Sequence, residues 1–100
     1  MRVIWSPLAL ERVESIARTI ASGRPEAAEK WVRMVFARVA QLTRYPKSGP
    51  MVPELTRPEV RQLAYPPYRI VYKVEANRVV ILTIRHDREQ LDPEEVRARE

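Results

Sequence analysis

The chain has no cysteine, one histidine, one phenylalanine and only two glycines in 100 residues. Without cysteine there is no disulfide and no thiolate chemistry, so stability must come from packing. A lone imidazole with no second histidine cannot build a zinc site, and no metal or other cofactor is expected. Gly23 and Gly49 stand far apart, so no glycine-rich phosphate loop exists. No Ser-His-Asp spacing is recognisable. No apolar run reaches the roughly 18 to 20 residues that cross a bilayer, and the N-terminus lacks the basic and then apolar order of a signal peptide. No membrane partner is expected, and the expected compartment is the cytoplasm.

What is present is arginine. The formal charge is +5, from 18 basic and 13 acidic residues, and arginine outnumbers lysine 15 to 3. The balance is uneven: residues 1–86 carry a net +8, residues 87–100 a net −3. A basic body steers acidic partners, nucleic acid or protein, although charged helix faces turned to solvent produce the same composition. Arginine suits bidentate pairing with carboxylate or phosphate. At this length the chain makes one domain, 1–100, with a single core.

Arg2 to Trp5 is a short β-prone run. Ser6 as N-cap and Pro7 at the first helical position start a helix, in which Leu8, Ala9, Val13, Ile16, Ala17 and Ile20 recur at helical spacing. Gly23 stops it and Pro25 opens a second helix, with Ala28, Trp31, Val32, Val35, Phe36, Val39 and Leu42 as its apolar stripe. The tight Ser22-Gly23-Arg24 link predicts an antiparallel helical hairpin lying on a sheet. Five residues of 46–58 are proline or glycine, which predicts a loop. Glu59 to Tyr65, Tyr68 to Glu75 and Val79 to His86 read as strands, the last two as a hairpin. A three-residue loop, Ala76-Asn77-Arg78, sets Ile70, Tyr72 and Val74 on one face with Val80, Leu82 and Ile84; a two-residue loop aligns Arg69 and Lys73 with those apolar residues instead. A slip of one flips every side chain, which favours the first register. Arg69, Val71 and Lys73 then share the other face with Val79, Ile81, Thr83 and Arg85, an exposed mix of apolar and basic groups that fits a partner. Asp92-Pro93-Glu94-Glu95 has capping-box order and predicts a short terminal helix within the 87–100 tail. The fold class is α+β.

Three strand arginines, Arg61, Arg69 and Arg85, are expected near one sheet face, where they either bind phosphate or carboxylate groups or pair with Glu59, Glu75 or Asp87. Glu54 is a surface carboxylate or a loop base. His86 is a structural histidine held near Asp87, or a general acid–base group by its ordinary pKa.

Short words run in order along residues 2–91: Trp5-Ser6-Pro7-x-Ala9, Pro25-x-Ala27-Ala28, Leu42-x-x-x-Pro46-x-x-Gly49, Val52-Pro53-Glu54-Leu55, Val60-Arg61-Gln62-Leu63, Tyr68-Arg69-Ile70-Val71-Tyr72 and Ile84-Arg85-His86-x-Arg88. Together they resemble the RelE/ParE superfamily of bacterial toxins. The resemblance implies a helical hairpin on a small, twisted, largely antiparallel sheet, and a role as the toxin of a type II toxin–antitoxin pair. RelE-like members cut messenger RNA in the ribosomal A site; ParE-like members inhibit DNA gyrase and arrest growth. Shared scaffold does not decide between them.

In nuclease members a middle-loop group, a Tyr-Arg strand arginine and a terminal tyrosine carry the chemistry. Glu54 and Arg69 fall at matching places here and His86 lies close to the third. The last tyrosine, however, is Tyr72, and the middle loop has only Lys47. The resemblance therefore implies a ParE-like gyrase inhibitor with no recognisable catalytic set. Its target-binding face is expected at Arg61, Arg69, Arg85 and Arg88. The implied partner is a ParD-like antitoxin whose acidic, partly disordered segment folds along the hairpin and the mixed sheet face. The alternatives are a ribosome-dependent ribonuclease using Glu54, Arg69 and His86 on ribosome-bound mRNA, and an inactive antitoxin-binding module.

Overall fold

Ser6 sets the geometry of the N-terminal half. It ends strand β1 (Arg2–Trp5) and begins helix α1 (Pro7–Ala21). Its backbone N–H donates to Ile81 O at 3.0 Å. Its hydroxyl accepts from Ala9 N at 3.1 Å and donates to Leu82 O at 3.0 Å. One fully buried serine thus caps the helix and pins its start to the sheet. After the Ser22–Arg24 link, Pro25 opens α2 (Pro25–Ala40), which tightens into a 3₁₀ turn at Gln41–Thr43. The two helices form the expected hairpin against the sheet.

The computed structural model describes residues 1–97. Strands β2 (Val60–Tyr65), β3 (Tyr68–Val74) and β4 (Arg78–His86) form a sheet ordered β1-β4-β3-β2. β1 runs parallel to β4 and the other pairs are antiparallel, as the α+β reading requires. The main core lies between hairpin and sheet: Ala9, Val13, Val35, Val39 and Leu42 meet Leu63, Ile70, Tyr72, Val79, Ile81 and Ile84.

The β3–β4 register corrects the expectation in one half. Ile70 pairs with Ile84 and Arg69 with Arg85, as the three-residue loop demands. The ladder then shifts, so that Tyr72 pairs with Ile81 and Val74 with Val79, and Leu82 has no partner on β3. The tip is a two-residue loop, Ala76-Asn77, closed by Glu75 N to Arg78 O at 2.9 Å and by the Glu75–Arg78 ion pair. A β-bulge reconciles the two registers, because one extra residue flips the alternation. Val79 and Ile81 consequently enter the main core, while Val80 and Leu82 turn to the opposite face. Lys73, opposite Val80, carries its ammonium to Glu75 at 3.2 Å.

That opposite face is not an open patch, which corrects the second expectation. Val71, Val80, Leu82 and Val60 are covered by Val52 and Leu55 of the 46–58 loop and by Leu91 and Val96 of the tail, forming a second small core. The tail is a strap across the sheet, ending in a 3₁₀ turn at Pro93–Arg97 rather than an α-helix. Its start is the one expected, with Glu94 N donating to Asp92 Oδ1 at 3.0 Å. Residues 98–100 of the expected terminal helix lie outside the described residues.

Gly49 explains why the proline-rich loop can lie so close to β2. A Cβ there would sit 2.2 Å from Gln62 O and 2.9 Å from the Tyr72 hydroxyl. The need is for clearance, since no glycine has positive φ. Gly49 N donates to Tyr72 Oη at 3.0 Å, and Gln62 N reaches Pro50 O at 2.9 Å.

Candidate functional site

Strand alternation places Arg69 on the strap side of β3, the face that carries Val71, and leaves it 6% exposed. Its guanidinium is almost fully used. Nη1 donates to Glu54 Oε1 at 2.8 Å and Gln62 Oε1 at 3.1 Å; Nη2 donates to Glu54 Oε2 at 2.5 Å and Glu89 O at 2.8 Å. Leu91 N adds a hydrogen bond to Glu54 Oε2 at 3.1 Å. Arg69 therefore ties the 46–58 loop and the strap to the sheet at one point. The hydrogen bonds from Arg69 hold the Glu54 carboxyl down at about 2, against the opposing effect of burial and with help from Leu91 N–H. The same pairing pushes Arg69 upward. A carboxylate so held is a weak base at neutral pH.

Arg85 stands opposite Arg69 across the ladder. Two like charges in that position repel, and acidic groups from the strap offset them. Arg85 Nε faces Glu95 Oε1 at 3.0 Å and Nη1 faces Glu89 Oε2 at 3.5 Å. Glu95, itself buried, accepts from Thr83 Oγ1 at 2.7 Å and from Arg12 Nη2 at 3.3 Å.

Arg61 is elsewhere. It pairs with Tyr72 on the helix side of the sheet and donates to Gly49 O at 2.9 Å. The expected three-arginine face is thus two arginines, Arg69 and Arg85, with Arg61 bracing the loop from the other side. Arg88 is exposed, and among the described residues its guanidinium has no acidic partner. His86 shares the helix side with Tyr68, its cross-strand partner, with ring centroids 5.9 Å apart. Its Nδ1 accepts from Arg88 N at 3.2 Å and lies 3.3 Å from Asp87 Oδ1. Glu54 and Arg69 lie on the strap face, His86 on the other, so the three do not converge.

Beside Arg69 a polar cleft of about 430 Å³ opens, lined by Glu54, Gln62, Tyr68, Arg69, Arg88 and Glu89 among others. On the outer side of the hairpin lies a shallow apolar groove, floored by Ala17, Ala21, Ala28 and Val32 and rimmed by Glu14, Arg18, Glu29 and Arg33. Among the described residues no three His, Cys, Asp or Glu side chains converge as metal ligands, and no helix is long and apolar enough to cross a membrane.

Residues 3–91 match the family described as ParE toxin of type II toxin-antitoxin system, parDE. The chain belongs to the ParE toxin family. It is 37% identical over 90 residues to a Sinorhizobium fredii protein named "Putative toxin Y4kP", covering 89% of this chain and 91% of that one. It superposes with a TM-score of 0.74 and 25% identity on a solved chain titled "Chromosomal ParDE TA system from P. aeruginosa", covering 86% of this chain and 95% of that one. In this ParE-family toxin several of the words quoted from its sequence have structural roles. Ser6 clamps α1 to β4, Gly49 leaves room for Gln62 and Tyr72, and Glu54 and Arg69 lock loop to sheet. Sequence reasoning missed Glu95, Thr83 and Arg12. The alternation of β4 hints at Thr83, but Glu95 carries only a capping signal and nothing local to Arg12 marks it.

Proposed function

We propose that this ParE-family toxin arrests growth by binding DNA gyrase as a protein ligand, without cutting RNA, and is neutralised by a ParD-like antitoxin. The observation that carries the reading is the Arg69–Glu54 lock. Its guanidinium fork is taken by Glu54, Gln62 and the Glu89 carbonyl, and its carboxylate is held at about 2. Neither is poised to move a proton, and His86 faces the other way. Of the four candidate target-binding arginines, Arg88 has the exposed guanidinium suited to touching the target. Arg69 and Arg85 hold the strap beside it, while Arg61 braces the 46–58 loop from the other side of the sheet. The antitoxin's acidic segment suits the hairpin groove, where an amphipathic helix meets an apolar floor between charged rims.

Purified components test the proposal. The chain should block supercoiling of relaxed plasmid by gyrase, or raise the fraction of cleaved plasmid. It should leave messenger RNA intact on programmed ribosomes. Codon-specific cuts with unaffected gyrase would overturn the reading in favour of RNA cleavage.

A further inference from the structure

The excess charge of the chain is gathered at one end of the sheet. The starts of β1 and β2 and the tip of the β3–β4 hairpin meet there with the segment that follows α2. Arg2 stands beside Arg78 across the β1–β4 ladder, an adjacency of like charges that costs stability. Met1 N donates to Thr43 O at 2.6 Å, which brings Arg44 alongside. Arg61 Nη1 donates to the Lys47 and Gly49 carbonyls, and Lys73 faces Val60 at the head of β2. Arg57 joins them through its bond to Glu59 at 2.7 Å. These seven basic side chains and two acidic ones, Glu59 and Glu75, leave this pole at +5, the formal charge of the whole chain. Both carboxylates are taken, Glu59 by Arg57 and Glu75 by Lys73 and Arg78. Among the described residues Arg2, Arg44, Lys47 and Arg61 have no carboxylate partner, and the first three are exposed. The helices differ. Glu14 and Arg18, Glu26 and Lys30, and Glu29 and Arg33 stand four residues apart, the spacing that balances charge along a helix face.

We propose that this basic pole binds the phosphate backbone of duplex DNA, with Arg2, Arg44 and Lys47 as its contacts and Arg61 holding the loop that carries Lys47. Unpaired cations gain affinity for a polyanion by releasing its counterions, and they need no base to read. The three contacts come from β1, from the end of the Gln41–Thr43 turn and from the 46–58 loop. They are spread across the end of the sheet, and a duplex, which repeats its phosphates along two strands, meets such a spread. Single-strand binders stack bases on successive aromatic rings, and Tyr45 is the one exposed ring at this pole among the described residues. β4 runs from the pole at Arg78 to His86, so at about 3.3 Å per residue Arg88 lies roughly 26 Å away. A protein target at Arg88 and DNA at the pole are therefore touched at opposite ends of the sheet. That this DNA is the segment held by gyrase rests on the function proposed above; the binding itself does not.

The probe is a fluorescently labelled duplex of about 30 base pairs and arbitrary sequence, titrated with the full-length chain between about 50 and 200 mM salt and read by anisotropy. Three phosphate contacts give a log–log salt slope of about −3. Arg2→Ala, Arg44→Ala and Lys47→Ala combined should weaken binding at least about tenfold at the low-salt end and flatten the slope toward zero. A matched variant, Arg24→Ala, Lys30→Ala and Arg33→Ala, removes the same charge from α2 and its entry and should bind within about twofold of wild type. All six side chains are exposed, so both variants keep the fold, which circular dichroism checks. Equal weakening of the two variants would overturn the proposal, because net charge alone would then explain the binding. Absence of binding at the low-salt end would also overturn it. Tighter binding of a single-stranded RNA of the same length would reassign the pole to RNA. Displacement of the duplex by polyglutamate at a lower charge concentration than by polyphosphate would reassign it to an acidic protein; either result overturns the assignment to duplex DNA. None of these readouts involves gyrase or growth, so failure here is separable from failure of the toxin reading.

Discussion

Arg69 and Glu54 meet as a two-point fork, Nη1 to Oε1 at 2.8 Å and Nη2 to Oε2 at 2.5 Å, joining a β-strand to a loop fifteen residues away. The fork is mostly buried, with the Arg69 side chain 8% exposed and Glu54 22%. Removing one partner strands the other, and for buried pairs that costs about 3–5 kcal/mol. Arg69→Ala should destabilise by about 3 kcal/mol, and Glu54→Gln, which retains part of the bonding, by about 1–2 kcal/mol. Arg69→Lys should recover little, because an ammonium cannot form the fork. Urea unfolding monitored by tryptophan fluorescence measures all three.

The same pair sets a pH dependence. The Glu54 carboxyl lies near 2 in the folded chain against an ordinary 4.5, so the unfolded state binds the proton more readily. This contribution is fully present above about pH 4.5 and is lost as pH falls toward 2. The shift corresponds to about 3 kcal/mol, discounted to about 2 kcal/mol for the solvent that reaches Glu54. Wild type should lose that increment between those pH values, and the Glu54→Gln curve should lack it.

Gly49→Ala should be severe. The added methyl would meet backbone at 2.2 Å, which no rotamer change relieves, and overpacking of this kind costs about 1–3 kcal/mol or more. Tyr72→Phe removes only the hydroxyl that accepts from Gly49 N and should cost about 1–2 kcal/mol. Thermal melts of the two variants, with Gly49→Ala the lower, check the order.

Ser6→Ala removes a helix cap and the bond to Leu82 O in one step. A lost cap costs about 1 kcal/mol, and leaving a buried carbonyl unpaired adds about 1–3 kcal/mol. The expected loss is about 2–3 kcal/mol, read from chemical denaturation, with α1 amides losing exchange protection before those of β3.

Arg88→Glu separates function from stability. Arg88 is exposed and its backbone N–H, not its guanidinium, bonds to His86 Nδ1. Stability should change by no more than about 0.5 kcal/mol, while growth arrest on expression weakens. Full toxicity at equal soluble level would remove Arg88 from the target-binding surface.

The helices, the strands and their order were legible because their signals are local: Ser6-Pro7, Pro25, the apolar stripes and Pro66-Pro67. The hairpin was half legible. Ile70 does face Ile84, but a bulge at Leu82 leaves no mark in hydrophobicity when residues 79 to 82 are all aliphatic. Alternation cannot place an extra residue in such a run. The covered second face was missed because its cover, Val52, Leu91 and Val96, comes from segments without periodicity. The same limit applies to the site. Arg69 and Glu54 were picked out singly, yet their pairing is a tertiary fact, and it turns two apparent reactive groups into a structural lock.

The most direct measurement is induced expression of the wild-type chain with two simultaneous readouts, genome-wide messenger RNA 5′ ends and the topology and integrity of a reporter plasmid. The account predicts relaxed or cleaved plasmid DNA with transcripts uncut inside codons. Transcripts cut within codons while plasmid supercoiling stays normal would contradict it, and would return Glu54, Arg69 and His86 to a catalytic role.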